Sequence, residues 1–245
     1  MKKNAPQRNI CLTIEFDGTN YHGWQIQPNR PTVQGELQNA LRQLFGTATE
    51  IYGCSRTDAG VSARNYSANF FTSSYLPTEK IAPALNFYLP RDIFVKSARV
   101  VPLQFHARYS ARAKTYSYTI VLIRSPLRSR HAWEYPFPLN LERLKSVARL
   151  FLGEHNYNPF CHTKEPNGIC QITSIRVKTS KDQITILIQG NRFLYKMVRR
   201  IVGAMVAYAA GRLTRQQIRA ALAGKKHRPF LTAPANGLIL ESVRY

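Results

Sequence analysis

The chain has 245 residues, 44% of them apolar, enough for one large domain or two modest ones with real cores. Its 35 Lys and Arg against 13 Asp and Glu give a formal net charge of +22, which points to a polyanionic partner. No apolar run approaches the roughly 20 residues that a membrane-spanning helix needs, so the partner is expected to be nucleic acid and not a bilayer.

The opening stretch MKKNAPQRNI is basic but leads into no apolar signal core, so no secretory leader and a cytoplasmic location are expected. Residues 10–16 (ICLTIEF) are apolar and β-branched and stop at Asp17-Gly18, a strand followed by a turn. Residues 33–45 carry Val33, Leu37, Leu41 and Leu44 on one stripe, the period of a helix. Strands are expected at 67–71 and 93–101. Over 114–123 the alternation puts Tyr116, Tyr118, Ile120 and Leu122 on one strand face. A Pro- and Arg-rich stretch, 124–138, comes next. Asn140 is placed to cap a helix over 141–152, with Leu144, Val147, Ala148 and Phe151 turned inward and Gly153 as the stop. Residues 171–179 and 183–189 flank Ser180-Lys181-Asp182 as a hairpin. A helix is expected over 193–210. Thr214 and Gln217 then form a capping box for a helix ended by Gly224, and 237–243 reads as a closing strand.

Each half thus runs strand, helix, strands. The expected class is α/β of the α+β kind: two halves, 1–107 and 108–245, each a small mixed sheet with helices on one face. Cys11, Cys54, Cys161 and Cys170 form no C-x-x-C pair. Cys161 and Cys170 flank a polar loop near His155 and His162, but the spacing fits no standard zinc pattern. Reduced structural thiols are expected, with no metal.

The positive charge is clustered. Residues 191–228 hold ten Lys and Arg and no acid, and residues 91–130 hold nine with only Asp92 opposing them. On a helix over 193–210, Leu194, Met197, Val198, Ile201, Met205 and Tyr208 share one face. Lys196, Arg199, Arg200 and Gly203 share the other, a basic ridge expected to meet phosphates. Lys196 and Arg200 from this segment, and Arg108 from the other, are the candidate phosphate contacts. Phe105, Tyr109, Tyr116, Tyr118, Phe193 and Tyr195 are interleaved with this charge. Aromatics so placed either build the core or stack on exposed bases.

Against this background, GCSRTDAGVSA at 53–63 is unusual. It sets one carboxylate, Asp58, two residues from Arg56 among small residues. An Asp in a turn commonly closes an Asx-turn. A carboxylate in a strongly positive field also repels a phosphate backbone unless it has chemistry to do, and a nearby Arg opposes its protonation. Such a group can act as nucleophile or base. No carboxylate cluster suited to metal-dependent phosphoryl chemistry is present, and neither GxxxxGK[ST] nor GxGxxG occurs. One carboxylate with an RNA-like partner suggests chemistry on a base or sugar without a cofactor.

RTDAGV at 56–61 resembles the signature of the tRNA pseudouridine synthase A family. In chain order, EFDGTNYHGWQIQP, TVQGELQNAL, LNFYLPRDIFV, FHARYSARAKTYSYTI, NRFLYKMVRRIVG and TAPANGLILESVRY resemble further family segments, so the likeness spans nearly the whole chain. Ser55, Ser62 and Asn65-Tyr66 depart from the family pattern and flank Asp58 without altering it. The resemblance implies two ferredoxin-like halves joined into a central, mainly antiparallel sheet with a catalytic cleft between them. It implies cofactor-free isomerisation of uridine to pseudouridine in the anticodon stem-loop of tRNA, by a homodimer. Carried over residue by residue, it makes Asp58 the catalytic carboxylate and Arg199 its partner. Arg56 then holds the RNA backbone or replaces the extruded base, Tyr116 stacks on the uracil, and Leu240 is an apolar wall. The competing expectation is a tRNA- or RNA-binding protein without catalysis, a chaperone or ribosome-assembly factor.

Overall fold

A computed structural model describes residues 6–245; residues 1–5, part of the stretch read above for a leader, lie outside the described residues. The chain gathers into two units, one of residues 1–112 with 240–245 and one of 113–239.

The first unit runs β1 (Arg8–Phe16), α1 (Val33–Phe45), β2 (Ile51–Gly53), β3 (Ser62–Thr72), α2 (Thr78–Tyr88) and β4 (Ile93–Val101). β1 lies between β3 and β4, antiparallel to both, with Leu12 opposite Ala68 and Ala98. β2 adds to the other side of β3, Tyr52 opposite Asn69. Element order β-α-β-β-α-β with spatial order β4-β1-β3-β2 is the ferredoxin-like arrangement. Ile10, Leu12 and Ile14 of β1 are fully buried, as are Leu37 and Leu41 of α1 and Ile81 and Leu85 of α2. α1 forms where its stripe predicts. The Thr32 hydroxyl accepts from the Gly35 N–H at 3.3 Å, and Gly46 ends the helix in the left-handed region. The last strand, β10 (Leu238–Arg244), lies beside β3, where Asn65 Nδ2 donates to the Glu241 carbonyl at 2.8 Å.

The second unit repeats the order. It runs β5 (Ala113–Val121), β6 (Trp133–Glu134), α3 (Leu141–Ala148), β7 (Gly153–Asn156), β8 (Ile169–Thr179), β9 (Gln183–Gly190), α4 (Met197–Ala209) and α5 (Arg215–Leu222). β9 is antiparallel to β5 and to β8, Ile186 facing Tyr118 on one side and Val177 on the other. β7 extends the β8 edge, and the two-residue β6 runs parallel to β5. The order β5-β9-β8 repeats β1-β3-β2 of the first unit. The Asn140 cap and the Thr214–Gln217 capping box both form.

Three expectations change. The helix expected over 193–210 begins at Met197, because Lys196 takes a left-handed backbone (φ 60°) that no helix continues through. The expected basic ridge is also absent along its length. Val202, Gly203, Ala204 and Val206 are buried with Met197, Ile201 and Met205, so α4 is a core helix with Arg199 and Arg200 confined to its first turn. Gly203 faces inward against the Leu231 carbonyl, where a Cβ would overlap. Finally, the helix expected over 141–152 is α-helical only to Ala148 and continues as a 3-10 turn over Arg149–Phe151; α2, for which no expectation was drawn, carries Pro83 inside and Pro77 at its N-cap.

All four cysteines are buried, and burial pushes the thiols of Cys11, Cys161 and Cys170 up, that of Cys170 to about 11. Raised thiols hold little thiolate at pH 8 and react slowly. A thiol-disulfide dye at pH 8 is therefore expected to label none of the four within minutes in the native protein and all four in denaturant. Fast native labelling would contradict this packing.

Candidate active site

The loop joining β2 to β3 carries Arg56 and Asp58, and backbone contacts clamp it on both sides of the aspartate. Before it, the Cys54 N–H donates to the Ser67 carbonyl at 2.9 Å, and the Trp24 N–H donates to the Thr57 carbonyl at 3.2 Å. After it, the Val61 N–H returns to the Asp58 carbonyl at 3.1 Å, closing a turn whose third residue, Gly60, has φ +77°. The Gly60 N–H itself donates to the Tyr21 carbonyl at 3.2 Å.

The clamp comes from the stretch 17–24. Trp24 is its centre: its carbonyl accepts from the Gln34 N–H at 3.0 Å while its N–H holds Thr57, so its backbone ties the first turn of α1 to the aspartate loop. The neighbouring Gly23 carbonyl takes the Val33 N–H at 3.2 Å. Gly23 has φ +85°, and a Cβ there would overlap the Thr57 carbonyl oxygen and lie 3.1 Å from the Asp58 carbonyl carbon. The Trp24 ring stacks on Tyr66 at 4.2 Å between centroids.

The departures around Asp58 form part of the same clamp. The Tyr66 hydroxyl donates to the Ser55 carbonyl, so two of the altered positions hold each other. The Ser62 hydroxyl accepts the Gly18 N–H at 3.0 Å. Asn65 bonds β10 through Glu241 and receives Lys96 Nζ at 3.2 Å. The aspartate is half-buried on this rigid turn, and Arg56 is exposed two residues away. Leu240, on β10, is fully buried. Arg108 is exposed in a turn after β4, 5.7 Å from the Tyr109 ring centroid. Its N–H donates to His106 Nδ1 at 3.0 Å. Burial, with Arg108 adding to it, holds His106 below its ordinary range and so keeps it an acceptor.

In the second unit, residues 232–234 fix the start of α4. Arg199 Nε donates to the Ala233 carbonyl at 2.7 Å, and the Ala233 N–H returns to the Arg199 carbonyl at 3.1 Å. Arg200 Nε reaches Thr232 Oγ1 at 3.3 Å, and its guanidinium also donates to the Cys161 carbonyl. Arg200 therefore ties the 157–163 loop to α4 as well as carrying charge. The Tyr118 hydroxyl donates to the Pro234 carbonyl at 2.7 Å; burial pushes its pKa well above the ordinary tyrosine range, against a smaller opposing effect of Arg199, so it stays a donor. Tyr116 on β5 is 5% exposed, its ring edge-on to Phe193 at 5.1 Å. Lys196 extends over the Tyr195 ring, Nζ 4.9 Å from its centroid, and Tyr195 stands 46% exposed.

Sequence reasoning singled out Asp58 and the cations, and Tyr66 only as a departure from the family pattern; it gave no role to Gly23 or Trp24, which also hold the loop. The Gly23-Trp24 pair in NYHGWQ was the available signal.

Among the described residues, no group of three or more His, Cys, Asp or Glu is placed to hold a metal ion. None of their helices is long and apolar enough to cross a membrane.

The family model described as tRNA pseudouridine synthase matches residues 12–110 and 147–245. Curated relatives named tRNA pseudouridine synthase A match nearly end to end. The Ruminiclostridium cellulolyticum protein is 42% identical over 97% of this chain and 100% of its own length. The Thermoanaerobacter sp. (strain X514) protein is 38% identical over the same shares, and that of Aquifex aeolicus 38% over 96% and 98%. Among solved structures, an archaeal box H/ACA sRNP Nop10-Cbf5 complex overlays with a TM-score of 0.38 at 10% identity, over 94% of this chain and 46% of that one, a likeness too slight to support an argument.

Proposed function

The chain belongs to the tRNA pseudouridine synthase family, and from that premise we propose that it converts uridine to pseudouridine in the anticodon stem-loop of tRNA, with Asp58 as the catalytic carboxylate. The reaction is an isomerisation. The N1–C1′ bond breaks, the uracil turns, a C5–C1′ bond forms, the C5 hydrogen leaves as a proton and N1 takes one up. Nothing is oxidised or reduced. Asp58 acts as nucleophile or base. The observation that carries this reading is the clamped loop. Backbone contacts fix the turn on both sides of Asp58, so the carboxylate is delivered in a set geometry.

The other roles follow from the resemblance and the charge. By that resemblance Arg199 is the basic partner of the reacting carboxylate, Tyr116 stacks on the uracil, and Leu240 closes an apolar wall. Arg56 holds the backbone or fills the place of the extruded base. Lys196, Arg200 and Arg108 contact phosphates. A paired uridine must leave the stack before C1′ is reached, which costs a few kcal/mol. Phosphate contacts from a chain of net charge +22 offset that cost. The enzyme works in the cytoplasm as a homodimer.

Mapping of pseudouridine in unmodified tRNA transcripts after treatment with the purified chain tests the site. New pseudouridine confined to the anticodon stem-loop is expected; modification elsewhere only would refute this placement.

A further inference from the structure

Tyr109, in the turn after β4, is 78% exposed, yet the turn beneath it is braced. The Ser110 N–H donates to the His106 carbonyl at 2.9 Å, and the His106 N–H donates to Ser110 Oγ at 3.1 Å. Ala107 is fully buried and anchors the turn to the sheet. Its N–H donates to Asn69 Oδ1 at 2.8 Å, and its carbonyl accepts from the Tyr245 hydroxyl at 2.9 Å.

A lone exposed ring says little. This one ends a row. Tyr109 leans on His106 at 4.5 Å between centroids, His106 on Tyr52 at 5.2 Å, and Tyr52 meets Phe71 edge-on at 6.5 Å. Burial holds His106 below its ordinary range, so at neutral pH the ring behind Tyr109 is uncharged. Arg108 and Arg112 flank Tyr109 and are both exposed, and residues 105–112 carry no acid. An open ring between cations matches a nucleotide, whose base stacks while its phosphate meets an arginine. An apolar protein surface would have to strip water from both guanidiniums. Tyr52 lies on β2, six residues before Asp58, so the chain between them spans at most about 20 Å. That is roughly the height of six stacked bases, within the compass of one RNA.

We propose that the Tyr109 turn is a second nucleotide subsite, in which the Tyr109 ring stacks on an unpaired base of the bound tRNA and Arg108 meets the adjoining phosphate. This rests on the reading of tRNA as substrate and adds a base contact away from the reacting uridine.

The test compares full-length wild type, Tyr109→Ala, Tyr109→Leu and Tyr109→Phe. It measures equilibrium binding to an unmodified tRNA transcript and to a fully paired RNA duplex over a series of salt concentrations, with the thermal midpoint and sedimentation of each protein. Tyr109→Ala and Tyr109→Leu are expected to bind tRNA about 5–100-fold more weakly, the loss of one stacked base, and Tyr109→Phe within about 2-fold of wild type. The dependence of affinity on salt stays as in wild type, because stacking releases no counterion, and duplex binding is unchanged. Wild-type affinity in Tyr109→Ala would overturn the proposal, as would Tyr109→Leu binding as well as Tyr109→Phe, or an equal loss on duplex. A lowered midpoint or an altered oligomeric state in Tyr109→Ala would also overturn it, because the ring would then be packed against protein. A wild type that binds no tRNA removes the functional reading and this subsite together. A wild type that forms pseudouridine while Tyr109→Ala binds tRNA unimpaired removes the subsite alone.

Discussion

Asp58→Asn is expected to stop tritium release from C5-labelled tRNA, slowing single-turnover chemistry by at least about 10³-fold, while the protein still folds and binds tRNA. The substitution keeps the size of the side chain and removes its charge and nucleophilicity. The substitution leaves in place the Trp24, Gly60, Cys54 and Val61 N–H groups that hold the loop backbone. Binding draws on the clustered cations, and loss of one anion leaves these intact or slightly favours phosphate. The variant therefore separates the two functions that the chain could have. If Asp58→Asn retained a tenth or more of the wild-type rate, the carboxylate would be a turn residue and not the reacting group.

Gly23→Ala is the second large effect. At φ +85° an alanine is strained by about 1–2 kcal/mol from backbone sterics alone. Here its Cβ also overlaps the Thr57 carbonyl oxygen, so the peptide next to Asp58 must move or the strand of contacts through Trp24 must open. A displacement of about 1 Å at a reacting group is enough for a 10²-fold loss of rate. The expectation is a stability loss of about 2–4 kcal/mol in a denaturant melt, with a fall of at least about 10²-fold in single-turnover release. Gly46→Ala is the control. Gly46 has φ +71° but nothing within 4 Å of a Cβ, so it carries the same kind of strain without the collision. It should lose about 1 kcal/mol and no activity. Equal activity losses in the two variants would show that strain alone, and not pressure on the Asp58 loop, is responsible.

Where local pattern decides structure, the sequence was readable. β4 occupies 93–101 as expected, α1 keeps its stripe and its Thr32 cap, and the Thr214–Gln217 box forms because both partners lie within one turn. Reading failed where a distant contact overrides the local signal. Pro83 should interrupt a helix, yet α2 buries Ile81, Ala82 and Leu85 and persists around it. Periodicity placed Gly203 on a charged face, but Gly203 is small so that α4 can approach the Leu231 backbone. Of the expected ridge of Lys196, Arg199, Arg200 and Gly203, only the three cations at and before the first turn of α4 stand clear of the core, and Gly203 is buried.

The candidate site divides in the same way. Asp58 stood out by composition, a lone acid among small residues in a basic chain. Its supports did not, because each joins residues far apart in sequence: Trp24 to Thr57, Tyr66 to Ser55, Gly18 to Ser62. The altered positions around Asp58 were readable only as differences from a pattern. In the folded loop they are complementary, since the Tyr66 hydroxyl meets the Ser55 carbonyl. A changed surround with an unchanged carboxylate is thus consistent with an intact catalytic turn.

The central claim is that this chain forms pseudouridine from uridine in tRNA. The most direct measurement incubates the purified wild-type chain with an unmodified tRNA transcript in buffer without added cofactor, digests the RNA, and separates its nucleosides. The account predicts a new nucleoside with the mass of uridine and the retention of pseudouridine, gained as uridine is lost. A full set of tRNAs bound by the protein but returned with uridine unchanged would contradict it and leave an RNA-binding protein with an aspartate in a turn.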